Sequence, residues 1–354
     1  MGIFSREEDE VIAPRGKKRF YRRRWFKVVS VLVILMLIGI GFIMYKTGST
    51  LSKISTKNGF FKSLWNTIPG VGPDELAGQK EGQINVLLLG MRGNDIPGGG
   101  LLADTIMLVA IKPEENKAAL ISIPRDLYVN VPGGSERRKI NAVHALAEEK
   151  GEGIGLEAMK EVVGEVTGLP VHYAVRIDFR GFTELIDKVG GIDIYLDQPF
   201  SEPEQFKGEN ALDFSLPAGR NHIDGQKALF FVRARYTSSD FDRARRQQEV
   251  LIALKDKLLS LGTLTDFSKI NNILDVLGED VRTDMDVSEM KNFFDLAGKI
   301  SDPQVKQKVF DTSDEGLLYS SRAETPKGET YILLPVGGNY DKIHEACRNI
   351  FNER

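Results

Sequence analysis

The chain has 354 residues, 42% of them hydrophobic, enough for one large core or two modest ones. Its 47 Lys/Arg and 50 Asp/Glu give a formal charge of −3; residues 1–50 hold ten of the bases and four of the acids, so the rest carries −9, which argues against nonspecific attraction to nucleic acid there. The single cysteine, Cys347, excludes an intrachain disulfide, and the four histidines, His144, His172, His222 and His344, are scattered without zinc spacing.

A basic stretch, residues 15–27, runs directly into eighteen uncharged residues, 28–45. At ~1.5 Å per residue that run spans roughly 27 Å, close to the thickness of a bilayer's hydrocarbon core. A cleaved signal would have a shorter apolar core and a small-residue cleavage site, and a buried core helix would show a polar face; here no A-x-A pattern follows, and Ser30 stands alone in the run. Lys and Arg stay on the cytoplasmic side. The expectation is a single-pass protein of the cytoplasmic (inner) membrane, with tail 1–27 inside, transmembrane helix 28–45, and everything beyond working without cytoplasmic ATP.

Residues 46–83 read as an extracytoplasmic stalk rich in Ser, Thr, Lys, Gly and Pro, and the folded region is expected from Ile84. Strands are predicted over 85–89, 104–111 and 118–123, and helices over 141–149 and 156–166, the second stopped by Gly168 and Pro170. His144 falls in the first helix and reads as a satisfied packing residue. A strand over 172–177, a helix over 182–188 closed by Gly190 and Gly191, and a strand over 192–196 continue the alternation of a sheet layered by helices. Asp224 is placed to cap a helix that gives way to extended chain near Arg233, and Asp240 to cap a longer helix with Val250, Leu251, Leu254 and Leu258 as its apolar stripe. Helices over 267–277 and 288–297, strands over 308–311 and 331–334, and a helix over 340–351 complete the reading. The fold class is α/β: a layered α/β/α domain with a central mixed β-sheet, preceded by one transmembrane helix.

Three separated sets of residues could carry chemistry. The first is Arg233 and Arg235, followed by Arg243, Arg246 and Gln247. With Asp240 as cap, the last three fall at i, i+3 and i+4 on the first turns of a helix, where exposed backbone N–H groups attract anions. Guanidinium forks grip phosphate oxygens in pairs and keep their charge, so converging arginines suit a pyrophosphate. Alone, the set reads more readily as a solvated basic helix start. The second set, Arg125 and Asp126 with Lys139 soon after, leaves the end of a predicted strand, where ligand contacts gather in layered sheet folds. The third is Asp104, where a glycine loop meets a strand. Without Gly-Lys-Ser/Thr this is no nucleotide P-loop, but a carboxylate there can serve magnesium alongside substrate phosphates.

Segments 101–108, 121–129, 139–145, 178–194, 225–236 and 240–250, in this order and spacing, resemble the LytR-CpsA-Psr family. The resemblance places its catalytic domain over about 84–300, with strands and a helix in 301–354 packing on the same domain. It implies a membrane-anchored, magnesium-assisted phosphotransferase that moves a glycopolymer from a polyprenyl-pyrophosphate carrier to a muramic acid hydroxyl of a peptidoglycan acceptor, with no nucleotide. By motif, Arg125, Lys139, Arg233, Arg235, Arg243 and Gln247 would hold the pyrophosphate and Asp104 the metal. The polyprenyl tail would enter an apolar tunnel, with Phe179, Phe182, Leu185, Phe230 and Phe231 as candidate lining. One departure stands out: members usually carry Gly-x-Asp-x-Arg after the first strand, whereas this chain has Arg92 at the carboxylate position, with Asp95 a possible substitute.

For the chemistry, Arg125, Asp126, Arg235 and Asp240 are the expected catalytic set. A base to activate the hydroxyl could be Asp126, Asp240 or Asp242, each weakened by nearby arginine. Two rivals share these residues: a hydrolase acting on the same lipid-linked glycan, and a noncatalytic tether for anionic glycans.

Overall fold

The computed structural model describes residues 75–94, 99–209, 213–261, 278–297, 304–325 and 328–352. The expected tail 1–27, the span 28–45, stalk residues 46–74, Asp95 and the helix over 267–277 lie outside the described residues. Among the described residues, no helix is long and apolar enough to cross a membrane.

In chain order the elements are β1 (Ile84–Gly93), β2 (Gly100–Lys112), β3 (Lys117–Ser122), β4 (Tyr128–Asn130), β5 (Arg137–Lys139), α1 (Ile140–Glu148), α2 (Ile154–Thr167) and β6 (Tyr173–Asp178). Then come α3 (Phe179–Lys188), β7 (Ile192–Leu196), β8 (Phe200–Glu202), β9 (Phe214–Leu216), β10 (Gly219–Ile223), α4 (Gly225–Arg233) and α5 (Asp240–Ser260). The chain closes with β11 (Val281–Thr283), α6 (Val287–Ala297), β12 (Gln304–Val309), β13 (Leu318–Thr325), β14 (Gly328–Pro335) and α7 (Asp341–Asn349). Six strands form one mixed sheet in the order β11-β6-β1-β2-β3-β12, with β1 parallel to β6, β3 parallel to β12, and the other neighbours antiparallel. The C-terminal ends of β1, β3, β6 and β12 and the start of β2 therefore meet at one end of the sheet, where β3 runs out into Arg125 and Asp126.

Strand alternation sorts the side chains. Leu87, Leu89, Leu108 and Ile121 point to a face closed by Val143 of α1, Met159 and Val163 of α2 and Ile343 of α7, all at most 1% exposed. Complete burial of such a side chain is worth roughly 1.5–3 kcal/mol. Helix α2 ends at Gly168, whose φ of 67° supplies the left-handed cap that a side chain would disfavour. The opposite face meets α5 and α6. A second core joins α3, β7, β8, β9, β10 and α4 around Ile192, Phe206 and Phe231.

Several expectations change. Helix α5 is capped by Ser239: its Oγ accepts from the Asp242 N–H at 3.1 Å, and Asp242 Oδ2 returns to the Ser239 N–H at 3.1 Å. Asp240 is thus the first helical residue, because the reciprocal capping box satisfies two N–H groups where a lone aspartate would satisfy one. The ordered fold starts before Ile84, since Leu76 is buried against Ile84 and Tyr173, whose hydroxyl accepts from the Ala77 N–H. The strand expected over 308–311 lies at 304–309, drawn back by its pairing with β3. Asp224 does cap α4, accepting from the Lys227 N–H at 2.8 Å.

Candidate active site

Asp104 owes its position to a β-bulge. Gly90 pairs with Thr105 and Met91 with Ala103, so Asp104 is the extra residue on β2 and drops out of the ladder. Bulges re-aim side chains in this way beside functional sites. Its freed carbonyl accepts from Arg243 Nη2 at 3.0 Å, and its Oδ1 from Arg125 Nη1 at 2.8 Å. Gly90 permits the close approach, for a Cβ there would lie 2.9 Å from Thr105 Cβ.

Arg125 is fixed through its backbone. The Asn141 N–H, in the first turn of α1, donates to the Arg125 carbonyl at 3.2 Å, and the Leu333 N–H of β14 donates to the Asp126 carbonyl at 2.9 Å. The guanidinium then reaches three carboxylates: Asp104, Asp126 at 3.8 Å and Asp240 at 3.6 Å. Lys139 Nζ joins from the other side of Asp126 at 2.6 Å, and Arg243 Nη2 from the other side of Asp240 at 3.1 Å. Six charged residues from four places in the chain form one alternating network. Burial penalises the Arg125 cation, but Asp240, Asp104 and Asp126 outweigh it and raise its pKa. For Arg243 burial wins and the pKa falls, with Arg125 and Arg235 adding repulsion.

Not every polar atom of the network is satisfied. Arg125 Nε, Arg243 Nε and Asp240 Oδ1 are buried and lack a hydrogen-bond partner. An unsatisfied buried polar atom costs about 1–3 kcal/mol. An anion would satisfy the two donors and a proton donor the acceptor.

Behind the network lies an apolar space between the sheet and helices α5, α6 and α3. Two adjoining cavities of about 360 Å³ each share Leu88, Val175, Leu251 and Leu254. One reaches Thr105 and Gln247, which are the neighbour of Asp104 and the residue one turn beyond Arg243 on α5; the other extends past Phe293 toward Val305. The charged cluster therefore lies next to one end of this apolar channel.

The sequence-predicted residues divide accordingly. Arg125, Asp126, Lys139, Asp104, Asp240 and Arg243 converge, and Arg235 lies near enough to repel Arg243. Gln247 lines the cavity and donates to the Val232 carbonyl at 3.3 Å. Arg233 instead holds Glu209 with two bonds of 2.7 Å and stacks on Phe179, with its guanidinium carbon 4.8 Å from the ring centroid. Arg246 does not share the face of Arg243: it is buried, donating to the carbonyls of Phe231 and Ala234. Phe179, Phe182 and Leu185 line the channel as expected, whereas Phe230 and Phe231 pack in the second core against Phe206 and Phe200. His144 is fully buried, with the Leu101 backbone as the polar neighbour of its ring. Sequence reading missed Glu202, Gln205 and Glu209, which reach across to the arginine segment from the β8–β9 region.

Among the described residues, no three His, Cys, Asp or Glu side chains converge as a cage for a metal. The bulged Asp104 still fits magnesium, because Arg125 engages only one of its oxygens and the ion commonly rests on one or two carboxylates plus substrate phosphates. Arg92, at the usual carboxylate position, is exposed and acts on Glu209, whose carboxyl is held below its ordinary range by the hydrogen bond from Arg233 first and by Arg92 last.

The fold and site thus combine a mixed α/β/α layer with a guanidinium-carboxylate cluster beside an apolar channel. The LytR_cpsA_psr family model matches residues 44–331, and the chain belongs to that family. It is 30% identical over 278 residues to the polyisoprenyl-teichoic acid--peptidoglycan teichoic acid transferase TagU of Oceanobacillus iheyensis, covering 78% of this chain and 82% of that protein. Against TagT of Bacillus subtilis, with the same activity in its name, identity is 26% over 350 residues, covering 96% and 97%. The solved structure of TagT bound to LIIa-WTA superposes with a TM-score of 0.55 at 25% identity, covering 77% of this chain and 91% of that one.

Proposed function

We propose that the chain is a membrane-anchored phosphotransferase that moves a glycopolymer from a polyprenyl-pyrophosphate carrier to a peptidoglycan hydroxyl of muramic acid. The observation that carries this is the joining of the Arg125–Arg243 cluster to the apolar channel. The names of TagU and TagT supply the reaction, since teichoic acid is their polymer and peptidoglycan their acceptor. Residues 28–45 anchor the chain in the cytoplasmic membrane, tail inside, and the site works outside, where the pyrophosphate bond itself provides the driving force.

In this mechanism Arg125, Arg243, Lys139 and Arg235 bind the pyrophosphate oxygens, and the Nε groups of Arg125 and Arg243, which make no hydrogen bond in the free protein, gain acceptors. The polyprenyl chain fills the channel past Gln247. The acceptor hydroxyl attacks the phosphorus attached to the glycan; the bond from that phosphorus to the bridging oxygen breaks, and the electron pair leaves with polyprenyl phosphate. Arginines neutralise the charge that grows on the departing phosphate. Asp240 takes the hydroxyl proton: its Oδ1 makes no hydrogen bond, with Arg125 no nearer than 3.6 Å, while Asp126 is tied to Lys139 at 2.6 Å and Asp242 is occupied in the helix cap. Magnesium, held by Asp104 and phosphate oxygens, would supply Lewis-acid charge at the pyrophosphate.

The test is transfer of labelled glycan from its polyprenyl carrier onto peptidoglycan by the full chain in vesicles. Arg125→Ala should lower transfer by about 100-fold or more. Label released into solution identifies a hydrolase, and binding without turnover a tether; either result overturns the proposal.

A further inference from the structure

With Ala234 at φ −58° and ψ 133°, the segment from Ala234 to Thr237 follows α4 and belongs to neither helix nor strand. Its main-chain groups need other partners. Three side chains supply them. Glu202, 0% exposed, accepts through Oε2 from the Tyr236 N–H at 2.9 Å, the Thr237 N–H at 3.2 Å and the Thr237 hydroxyl at 3.3 Å. Gln205 accepts from the Arg235 N–H and donates to the Arg233 carbonyl, both at 2.8 Å. Arg246 donates to the Ala234 carbonyl and to Ser238 Oγ. A carboxylate takes the N–H groups, a guanidinium takes a carbonyl, and an amide takes one of each.

Stability alone is a poor reason for this arrangement. Glu202 buries a charge and leaves Oε1 without any hydrogen-bond partner, which costs free energy. The return is geometric: the residues held are those that carry Arg233 and Arg235. Glu209, a few residues on from Gln205, grips the Arg233 side chain as well. Among the described residues, no side chain restrains the Arg235 guanidinium in this way, so its backbone decides where its charge falls.

We infer that Glu202 is a positioning residue, which fixes the 233–237 segment so that the Arg235 guanidinium enters the phosphate site beside Arg243. The inference rests on the proposed function, since it assigns Arg235 to the pyrophosphate. Glu202 itself touches no substrate and acts through Arg235.

A double-mutant cycle separates this from simple support of the fold. Farnesyl pyrophosphate is titrated by calorimetry into the full-length wild type, Glu202→Ala, Arg235→Ala and the double variant. A lost charge-assisted hydrogen bond corresponds to about tenfold or more in affinity. Glu202→Ala should weaken binding by about tenfold in the wild-type background but by less than about twofold once Arg235 is gone. Glu202→Gln, which keeps an acceptor oxygen, should recover affinity to within about threefold of wild type. Equal losses in both backgrounds overturn the inference and leave the proposed function standing, whereas a wild type that does not bind overturns both. Where Glu202→Ala does not fold, Gln205→Ala, which strips the Arg235 N–H of its acceptor, enters the same cycle with the same expectation.

Discussion

The two faces of the central sheet use adjacent residues of the same strands and end differently. Leu87 and Leu89 meet helices α1 and α2 with at most 1% exposure, whereas Leu88, between them in sequence, looks into the apolar channel under α5 and α6. Both faces are equally greasy. The difference lies in what covers them: on the first, Val143, Met159 and Val163 interlock with the strands; on the second, Leu251, Leu254 and Leu258 stand back and leave room. Empty apolar volume costs stability in proportion to its size, and two adjoining spaces of about 360 Å³ each lie on this one face.

Truncation breaks the symmetry most sharply. Leu108→Ala, on the closed face, should cost about 2–5 kcal/mol in denaturant unfolding, and Val109→Ala, on the channel side, well under that. Equal costs would mean the faces are packed alike. Next in size is a pH effect confined to the closed face. Burial, with Arg176 nearby, pushes the His144 pKa down to about 4, so between the ordinary value of 6.5 and 4 the unfolded chain binds a proton that the folded one refuses. Stability therefore falls as pH drops through that window, by at most about 3 kcal/mol. His144→Leu should flatten the slope in urea midpoints measured from pH 7 to 4. On the channel face, Leu88→Trp should leave the melting temperature unchanged or higher while weakening farnesyl pyrophosphate binding by about tenfold. The smallest expected change is at Arg92→Asp, which restores the carboxylate usual in the family and should lower the magnesium concentration for half-maximal transfer by a few-fold, since metal sites respond to added carboxylate charge.

Much of this contrast was legible in the sequence, though unevenly. Short apolar runs bounded by turn residues located β1, β2 and β3, because these strands are buried over much of their length. Three-residue strands such as β4, β5, β8 and β9 carry no period and went unseen. Spacing brought Arg125, Lys139 and Arg243 forward, yet it also advanced Arg246, whose helical phase looks right but whose guanidinium serves the Ala234 carbonyl. The bulge that extrudes Asp104 depends on pairing between two strands, and no local pattern announces it. Glu202 and Gln205 lie roughly thirty residues before the segment they hold, so their part emerges only when the chain is folded. Channel and core were indistinguishable in advance, because Phe179 and Phe231 are the same residue in similar company.

Helix α5 draws these threads together. Its first turns carry Asp240 and Arg243, its last turns Leu254 and Leu258, and between them Gln248 Nε2 is bolted to Leu120 and Lys308 carbonyls and to Ser122 Oγ on two strands. A single rod of 21 residues is thereby pinned near its charged end. On the proposed reading, one rigid rod therefore carries both the arginine that meets the headgroup and the leucines that line the tail, so the distance between the two is fixed by the helix itself.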